Sequence, residues 1–196
     1  MIRIGIVGDI GSGKSYVARK FGFPVFDADF EVSKIYKKSR KCYKKLKKTF
    51  PKYIFSFPIK RKELSQVVAK DKNNVKKINK IVHPEVRLRM NKFLNKNNKK
   101  KAVVLDIPLL LERRINKKKD ILVFVEARKK EINIRLKKRS NYNSKIFKKL
   151  KKLQLPLETK KKKSNFILKN NFKSLSVKKN VKILKNKIFK NDRSST

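Results

Sequence analysis

The sequence predicts an α/β fold in which a mostly parallel central sheet is flanked by helices. Short apolar segments rich in β-branched residues alternate along the chain with stretches of helical spacing. Three of these segments are continuously apolar, as is typical of strands that are covered on both faces. The predicted strands are Ile2–Val7, Val25–Phe26, Ala102–Leu105, Ile121–Val125 and Phe166–Leu168.

The first predicted strand runs into a glycine-rich segment, Gly8–Ser15, which reads Gly-Asp-Ile-Gly-Ser-Gly-Lys-Ser. A helix is predicted from Gly13 to Phe21, because a glycine and then a proline follow it. The pattern Gly-x-x-x-x-Gly-Lys-Ser between a strand and a helix is that of a P-loop. The sequence therefore predicts the P-loop NTPase fold.

The P-loop predicts a site for ATP with Mg²⁺. Its glycines let backbone N–H groups converge on phosphate oxygens at a helix N-terminus, where the helix dipole also favours anions. Lys14 is expected to reach the β- and γ-phosphates, and the Ser15 hydroxyl is expected to bind Mg²⁺. The residues expected to contact the nucleotide are Gly11, Ser12, Gly13, Lys14, Ser15 and Tyr16.

Two carboxylates follow the second predicted strand, in the segment Val25-Phe26-Asp27-Ala28-Asp29. If the strand stays extended, Asp27 and Asp29 project to the same side at the carboxyl edge of the sheet, where open α/β sheets bind ligands. A carboxylate there can accept a proton from an attacking hydroxyl or orient the waters of Mg²⁺. The alternative is that one of the two merely caps the following helix.

The segment from residue 30 to residue 99 is predicted to be a helical insertion that could carry a substrate site. Its apolar residues recur at intervals of three and four and describe helices that are broken near Pro84. His83, the only histidine, directly precedes this proline, and Arg87 follows one helical turn later. His83 is interpreted either as a substrate contact or as a residue with a structural role at the start of a helix.

The third predicted strand ends in Asp106, at a position that resembles the Walker B carboxylate, which holds Mg²⁺ through water. A carboxylate in a turn at the end of a strand is an equally good interpretation. Further along, Arg135 and Arg139 lie one turn apart on a helix predicted over residues 127–139. They are either surface charges or the arginines with which a kinase neutralises a transferring phosphoryl group.

The chain is strongly basic: 59 lysines and arginines against 14 acidic residues give a net charge of +45. Such a charge suits nucleic-acid binding, because cationic side chains displace counterions from a phosphate backbone. It also suits drift in an AT-rich coding sequence, since Lys, Asn and Ile are abundant and Trp is absent. The spread of charge along the whole chain favours drift, so no specific nucleic-acid partner is expected.

The cysteine content and the length of the apolar runs bear on the compartment and on membrane association. Cys42 is the only cysteine and cannot form an intramolecular disulfide. The longest apolar runs fall short of the roughly 18 residues that a membrane span needs. The sequence therefore predicts a cytoplasmic protein without a membrane partner.

Together these motifs resemble one family, the dephospho-coenzyme A kinases. The motifs that carry the resemblance follow the family's order along the chain: Gly8–Ser15, Asp27-Ala28-Asp29, His83-Pro84-Glu85-Val86-Arg87, Asp106-Ile107-Pro108-Leu109-Leu110, Arg135 with Arg139, Gln154–Glu158 with Lys160, and Phe166–Asn170. The resemblance implies a phosphotransferase that uses ATP and Mg²⁺ to phosphorylate the ribose 3′-hydroxyl of dephospho-coenzyme A. This reaction is the last step of coenzyme A synthesis.

The resemblance also implies roles for individual residues. Asp29 is the expected base, and the other expected catalytic residues are Lys14 and Arg139. Further contacts to the nucleotide are expected from Arg135 and Asn170. The residues expected to bind dephospho-coenzyme A are Asp27, His83 and Arg87, and those expected to hold Mg²⁺ are Ser15 and Asp106.

A single domain is expected over residues 1–190, with a frayed tail over residues 191–196 and a monomeric or weakly associating state. Within it, the core is expected to comprise residues 1–29, 100–127 and 164–190. The helical substrate insertion is expected over residues 30–99, and an arginine-bearing lid over residues 128–163.

Two rival functions stay open at this point. Another P-loop kinase of small molecules or nucleoside monophosphates would share the P-loop and the arginine lid, and a nucleic-acid-binding protein is a more remote alternative. Three departures from the family pattern, at Asp9, Tyr16 and Lys169, leave open whether activity is impaired. None of them removes the lysine, hydroxyl or carboxylate on which the chemistry depends.

Overall fold

The computed structural model describes residues 1–71, 73–138, 147 and 150–193. Its strands are β1 (Ile2–Gly8), β2 (Val25–Asp27), β3 (Ala102–Asp106), β4 (Ile121–Glu126) and β5 (Phe166–Lys169). Its helices are α1 (Lys14–Lys20), α2 (Ala28–Lys38), α3 (Arg40–Thr49), α4 (Arg61–Lys70), α5 (Asn74–Lys96), α6 (Lys129–Lys137), α7 (Leu157–Lys162) and α8 (Ser174–Arg193). None of these described helices is long and apolar enough to cross a lipid bilayer.

The strands form one sheet with the order β2-β3-β1-β4-β5. Strand β1 pairs in parallel with both β3 and β4, and β4 pairs in parallel with β5. Strand β3 is buried at every position, which confirms the prediction that the continuously apolar strands are covered on both faces. The predicted α/β class and the predicted strands are therefore confirmed, and the P-loop follows β1 at the carboxyl edge of the sheet.

The chain divides into two compact units, one formed by residues 1–26 and 99–196 and the other by residues 27–98. In the first unit, helices α1 and α8 pack on the sheet through fully or almost fully buried apolar side chains. Those that form this core include Ile4, Ile6, Val17, Phe21, Val104, Val123, Leu168, Val177, Val181 and Ile188. This packing fixes α1, and with it the end of the P-loop, against the central strand.

The second unit is helical and has a core of its own. Its buried side chains come from α2, α3, α4 and α5 and from the loop between α3 and α4; they include Ile35, Leu46, Ile54, Val67, Ile78 and Val82. The predicted break near Pro84 is wrong, because α5 continues through that residue from Asn74 to Lys96. Pro84 has no N–H to donate, but the buried Ile78 and Val82 in the turns before it pack the helix against the core.

Candidate functional site

The P-loop has the backbone that its glycines predict. Gly11 and Gly13 adopt left-handed conformations with φ of 85° and 87°, a region that residues with a Cβ rarely occupy. Gly13 is the N-cap of α1, and no side chain caps the helix there. The N–H groups at the start of α1 and the positive end of its dipole are therefore available for an anion.

Lys14 lies over the loop from which it projects. Its Nζ atom is 2.7 Å from the carbonyl oxygen of Asp9 and 3.4 Å from that of Gly8. The Asp9 carboxylate accepts a hydrogen bond of 2.7 Å from the backbone N–H of Ile10. Ser12 is fully buried, and its hydroxyl has no hydrogen-bond partner among the described residues.

Asn170, at the end of β5, braces the P-loop from the side. Its Nδ2 atom donates a hydrogen bond of 2.8 Å to the carbonyl oxygen of Ser12, and its own backbone N–H donates to the carbonyl of Glu126. A Cβ at Gly13 would lie 2.4 Å from the same Nδ2 atom. Glycine is therefore required at position 13 by this contact as well as by its backbone conformation.

Tyr16 connects the first turn of α1 to the start of α8. Its hydroxyl lies 2.8 Å from the Ser174 hydroxyl, while Lys20 lies over its ring. The sequence offered no signal for this contact, since the two residues are 158 positions apart. Ser15, the other hydroxyl in this turn, is exposed.

Helix α6 packs directly on the P-loop. A Cβ at Gly11 would lie 3.0 Å from Cγ of Leu136 and 3.1 Å from Cγ2 of Ile132, so the loop and the helix approach as closely as glycine permits. Arg135, on the same helix, lies over the ring of Phe172 at 4.6 Å from its centre. Arg139 lies outside the described residues.

Asp106 closes β3 and is buried, with 5% of its surface exposed. It directly follows Leu105, which pairs with Gly5 of β1, so it belongs to the sheet edge at which β1 enters the P-loop. Among the described residues no cluster of three or more His, Cys, Asp or Glu side chains could hold a metal ion.

The two carboxylates after β2 have different local positions. Asp27 is the N-cap of α2, and its side chain accepts a hydrogen bond of 2.9 Å from the backbone N–H of Phe30. Asp29 lies in the first turn of α2 and is exposed. The strand does not stay extended through Asp29, so the alternative that one of the two carboxylates caps the following helix is confirmed for Asp27, and the helix starts at Ala28.

His83 and Arg87 lie one turn apart on α5; His83 is half-buried and Arg87 is exposed. Close to them, Arg89 of α5 donates to Glu31 of α2 at 3.1 Å, and Glu31 also accepts from Lys34 at 2.8 Å. Burial raises the pKa of Glu31, but the hydrogen bonds from Lys34 and Arg89 outweigh it and the net pKa is lowered. Sequence reasoning missed this bridge between α2 and α5, since no local pattern pairs residues 31 and 89.

A buried ion pair fixes the segment that leads into α7. Lys160 Nζ lies 2.8 Å from a carboxylate oxygen of Glu112 and 3.0 Å from the side-chain oxygen of Gln154. The backbone N–H of Leu155 donates to the same carboxylate. Burial raises the pKa of Glu112, but the hydrogen bonds from Lys160 and from backbone N–H groups outweigh it, so the pKa is lowered. The pair therefore stabilises the fold at neutral pH and is lost as the pH falls through that lowered pKa.

Replacing Lys160 with methionine should lower the free energy of unfolding by about 3–5 kcal/mol, because it leaves the buried Glu112 carboxylate without its cation. The matched control is Lys161→Met. Lys161 pairs with Glu126 at the same distance of 2.8 Å, but both side chains are about one third exposed. Urea unfolding should show a large shift of the midpoint for Lys160→Met and little shift for Lys161→Met. Equal shifts would contradict the importance of burial.

Comparison with known proteins identifies relatives over most of the chain. The family model "CoaE: Dephospho-CoA kinase" matches residues 2–175. A dephospho-CoA kinase of Bartonella henselae is 34% identical over 170 residues, which are 84% of this chain and 87% of the relative.

Solved structures agree with these relatives in fold. TT1252 from Thermus thermophilus aligns with a TM-score of 0.76 and 30% identity over 96% of this chain and 97% of its own. A dephospho-CoA kinase from Campylobacter jejuni aligns with a TM-score of 0.66 and 22% identity, over 95% of this chain and 96% of its own. At that lower identity the second likeness concerns the fold alone.

Proposed function

The chain belongs to the dephospho-CoA kinase family, and from this membership we propose how its residues carry out phosphoryl transfer from ATP to dephospho-coenzyme A. The reaction phosphorylates the ribose 3′-hydroxyl and yields coenzyme A and ADP, the last step of coenzyme A biosynthesis. The observation that carries the proposal is the P-loop. Its left-handed glycines, its lysine and the uncapped start of α1 suit a triphosphate.

The P-loop residues divide the work of binding ATP. In this proposal the phosphates are contacted by Gly11, Ser12, Gly13, Lys14, Ser15 and Tyr16, with donors that include the backbone N–H groups at the start of α1. The buried Ser12 hydroxyl supports it, because a phosphate oxygen would satisfy a group that has no hydrogen-bond partner among the described residues. Lys14 then leaves the backbone carbonyls of Gly8 and Asp9 to contact the β- and γ-phosphates.

Mg²⁺ would be held by the Ser15 hydroxyl, by phosphate oxygens and, through water, by Asp106. These are hard oxygen donors, the kind that Mg²⁺ prefers. When bound, the ion would neutralise charge that develops on the transferring phosphoryl group.

Asp29 is the proposed base, which accepts the proton of the attacking 3′-hydroxyl. Its exposure leaves it accessible to a substrate, whereas the Asp27 side chain is engaged in capping α2. Arg135 and Arg139 are proposed to steady the charge of the transferring group, with Asn170 holding the P-loop beside them.

The remaining residues are proposed to bind dephospho-coenzyme A. His83 and Arg87 belong to the helical segment over residues 30–99, which is the proposed substrate insertion, and Asp27 lies three positions before it. The segment over residues 128–163 is the proposed lid, whose closure would exclude water and limit hydrolysis of ATP. A cytoplasmic location, a monomeric or weakly associating state, and the lack of a specific nucleic-acid partner stay predictions.

The experiment is an assay of ADP release with dephospho-coenzyme A, with a nucleoside monophosphate, or with no acceptor. We expect release that depends on dephospho-coenzyme A, together with a product that carries a new 3′-phosphate by mass spectrometry. Transfer to the nucleoside monophosphate at an equal or higher rate would contradict the proposal and favour the rival kinase function.

A further inference from the structure

Phe172 has a backbone conformation that its side chain disfavours. Its φ is 60°, in the left-handed region, where a bulky aromatic residue is an outlier and glycine is at ease. The residue follows the bracing Asn170 by two positions, and its backbone N–H donates a hydrogen bond of 2.8 Å to the Asn170 side-chain oxygen. The strained conformation is therefore held in place by the same side chain that holds the P-loop.

The ring of Phe172 is close to two parts of the ATP site proposed above. Its Cε1 atom would be 3.3 Å from a Cβ built on Gly13, so the ring covers the N-cap of α1. The guanidinium of Arg135 lies 4.6 Å from the centre of the same ring. A guanidinium at this distance is attracted by the negative face of the ring and tends to lie flat on it.

We propose that Phe172 is a positioning residue that holds the Arg135 guanidinium beside the P-loop for contact with the phosphates of bound ATP. The proposal rests on the P-loop being the ATP site. Arg135 is exposed and its long side chain has many rotamers, so without a platform it would lose entropy when it meets a ligand. Because the aromatic ring already restricts the Arg135 side chain before ATP binds, less entropy is lost on binding. This is a functional reason for a strained aromatic residue at this position.

The helix that carries Arg135 is already anchored close by. Leu136 and Ile132 of α6 pack against Gly11 of the P-loop, two positions before the Gly13 that Phe172 contacts. Those apolar contacts fix the helix, and the stack on Phe172 fixes the arginine side chain as well. Two contacts of different chemistry, one apolar and one cation–π, thus tie α6 to the P-loop.

The test compares three substitutions of Phe172 by thermal unfolding and by ATP affinity, measured by calorimetry without acceptor. Phe172→Gly relieves the left-handed strain but removes the ring, so it should weaken ATP binding roughly threefold to tenfold. Phe172→Leu keeps the strain and also removes the ring, and it should weaken ATP binding to a similar extent. Phe172→Tyr keeps the ring and should restore the affinity to within about twofold.

A double-mutant cycle assigns the effect to Arg135. In an Arg135→Ala background, Phe172→Leu should have little further effect on ATP affinity, because the stack is already lost. Phe23→Leu is the matched control: Lys185 lies 4.7 Å from the centre of that ring, which packs against Phe189. It should lower stability without changing ATP affinity.

The outcomes separate this inference from the proposed function. Unchanged ATP affinity in Phe172→Gly, or additive effects of the Phe172 and Arg135 substitutions, would overturn the positioning role. Wild-type protein that fails to bind ATP would instead overturn the P-loop assignment, and the positioning role would fall with it.

Discussion

Replacing Lys14 with alanine should abolish phosphoryl transfer, with a loss of at least the roughly 10²–10³-fold that removal of one transition-state charge contact costs. No other residue of the Gly8–Ser15 loop carries a positive charge. In the structure the ammonium group is held by the carbonyls of Gly8 and Asp9, so the lysine is already aligned along the loop. The measurement is coenzyme A formation at saturating ATP and dephospho-coenzyme A.

The matched control for Lys14 is Lys20→Ala. Lys20 lies on the same helix, is exposed, and contacts the Tyr16 ring rather than the loop. The Lys20→Ala substitution removes the same charge from the same helix and should leave turnover near that of the wild type. Wild-type turnover in Lys14→Ala would contradict the assignment of Gly8–Ser15 as a P-loop. A loss of equal size in both variants would indicate that turnover depends on the overall charge of the helix rather than on Lys14.

Asp29→Asn should bind ATP and dephospho-coenzyme A within a few-fold of wild type but transfer phosphate more slowly by roughly 10²-fold or more, the range expected for removal of a general base. Asparagine has nearly the shape of aspartate but cannot accept the proton. Asp29 also lies in the first turn of α2, where its negative charge interacts favourably with the helix dipole. The substitution can therefore lower stability, so unfolding should be measured on the same protein. Calorimetry gives the binding constants and product formation gives the rate.

The control for Asp29 is Asp27→Asn, which makes the same chemical change two residues away. Asparagine is as good an N-cap as aspartate, so the hydrogen bond to the Phe30 N–H should survive and α2 should keep its start. Transfer should fall less in this variant than in Asp29→Asn. If Asp27→Asn is the inactive variant and Asp29→Asn is active, the base has been assigned to the wrong residue. If both are active, the carboxylate mechanism itself fails.

Several candidate site residues were predicted from local sequence, because the chemistry proposed for them depends on their neighbours in the chain. The P-loop is such a case, since strand, glycines, lysine and helix follow one another within Ile2–Lys20. The two interpretations of Asp27 and Asp29 were also stated in advance, but the local pattern did not decide between a continued strand and a capped helix. Hydrogen bonding to Phe30 settled that Asp27 ends the strand.

Other features depend on residues that meet only after folding. Pro84 was expected to break a helix because it lacks an N–H, yet packing of Ile78 and Val82 in the core keeps α5 continuous. The Glu112–Lys160 pair joins residues whose individual charges are unremarkable in so basic a chain. Its energetic weight comes from burial, which no pattern of neighbouring residues reveals.

Local sequence patterns were sufficient to predict the α/β class, the strands, the P-loop and the resemblance to one kinase family. These follow from periodicity and from short motifs, both of which act over a few residues. Local patterns did not predict the hydrogen bond from Asn170 to Ser12 or the contact between Arg135 and the Phe172 ring, which the folded structure shows. Hydrogen bonds and ring contacts between distant segments depend on distances of a few ångströms, and those distances are fixed by the packing of the sheet and helices rather than by local pattern.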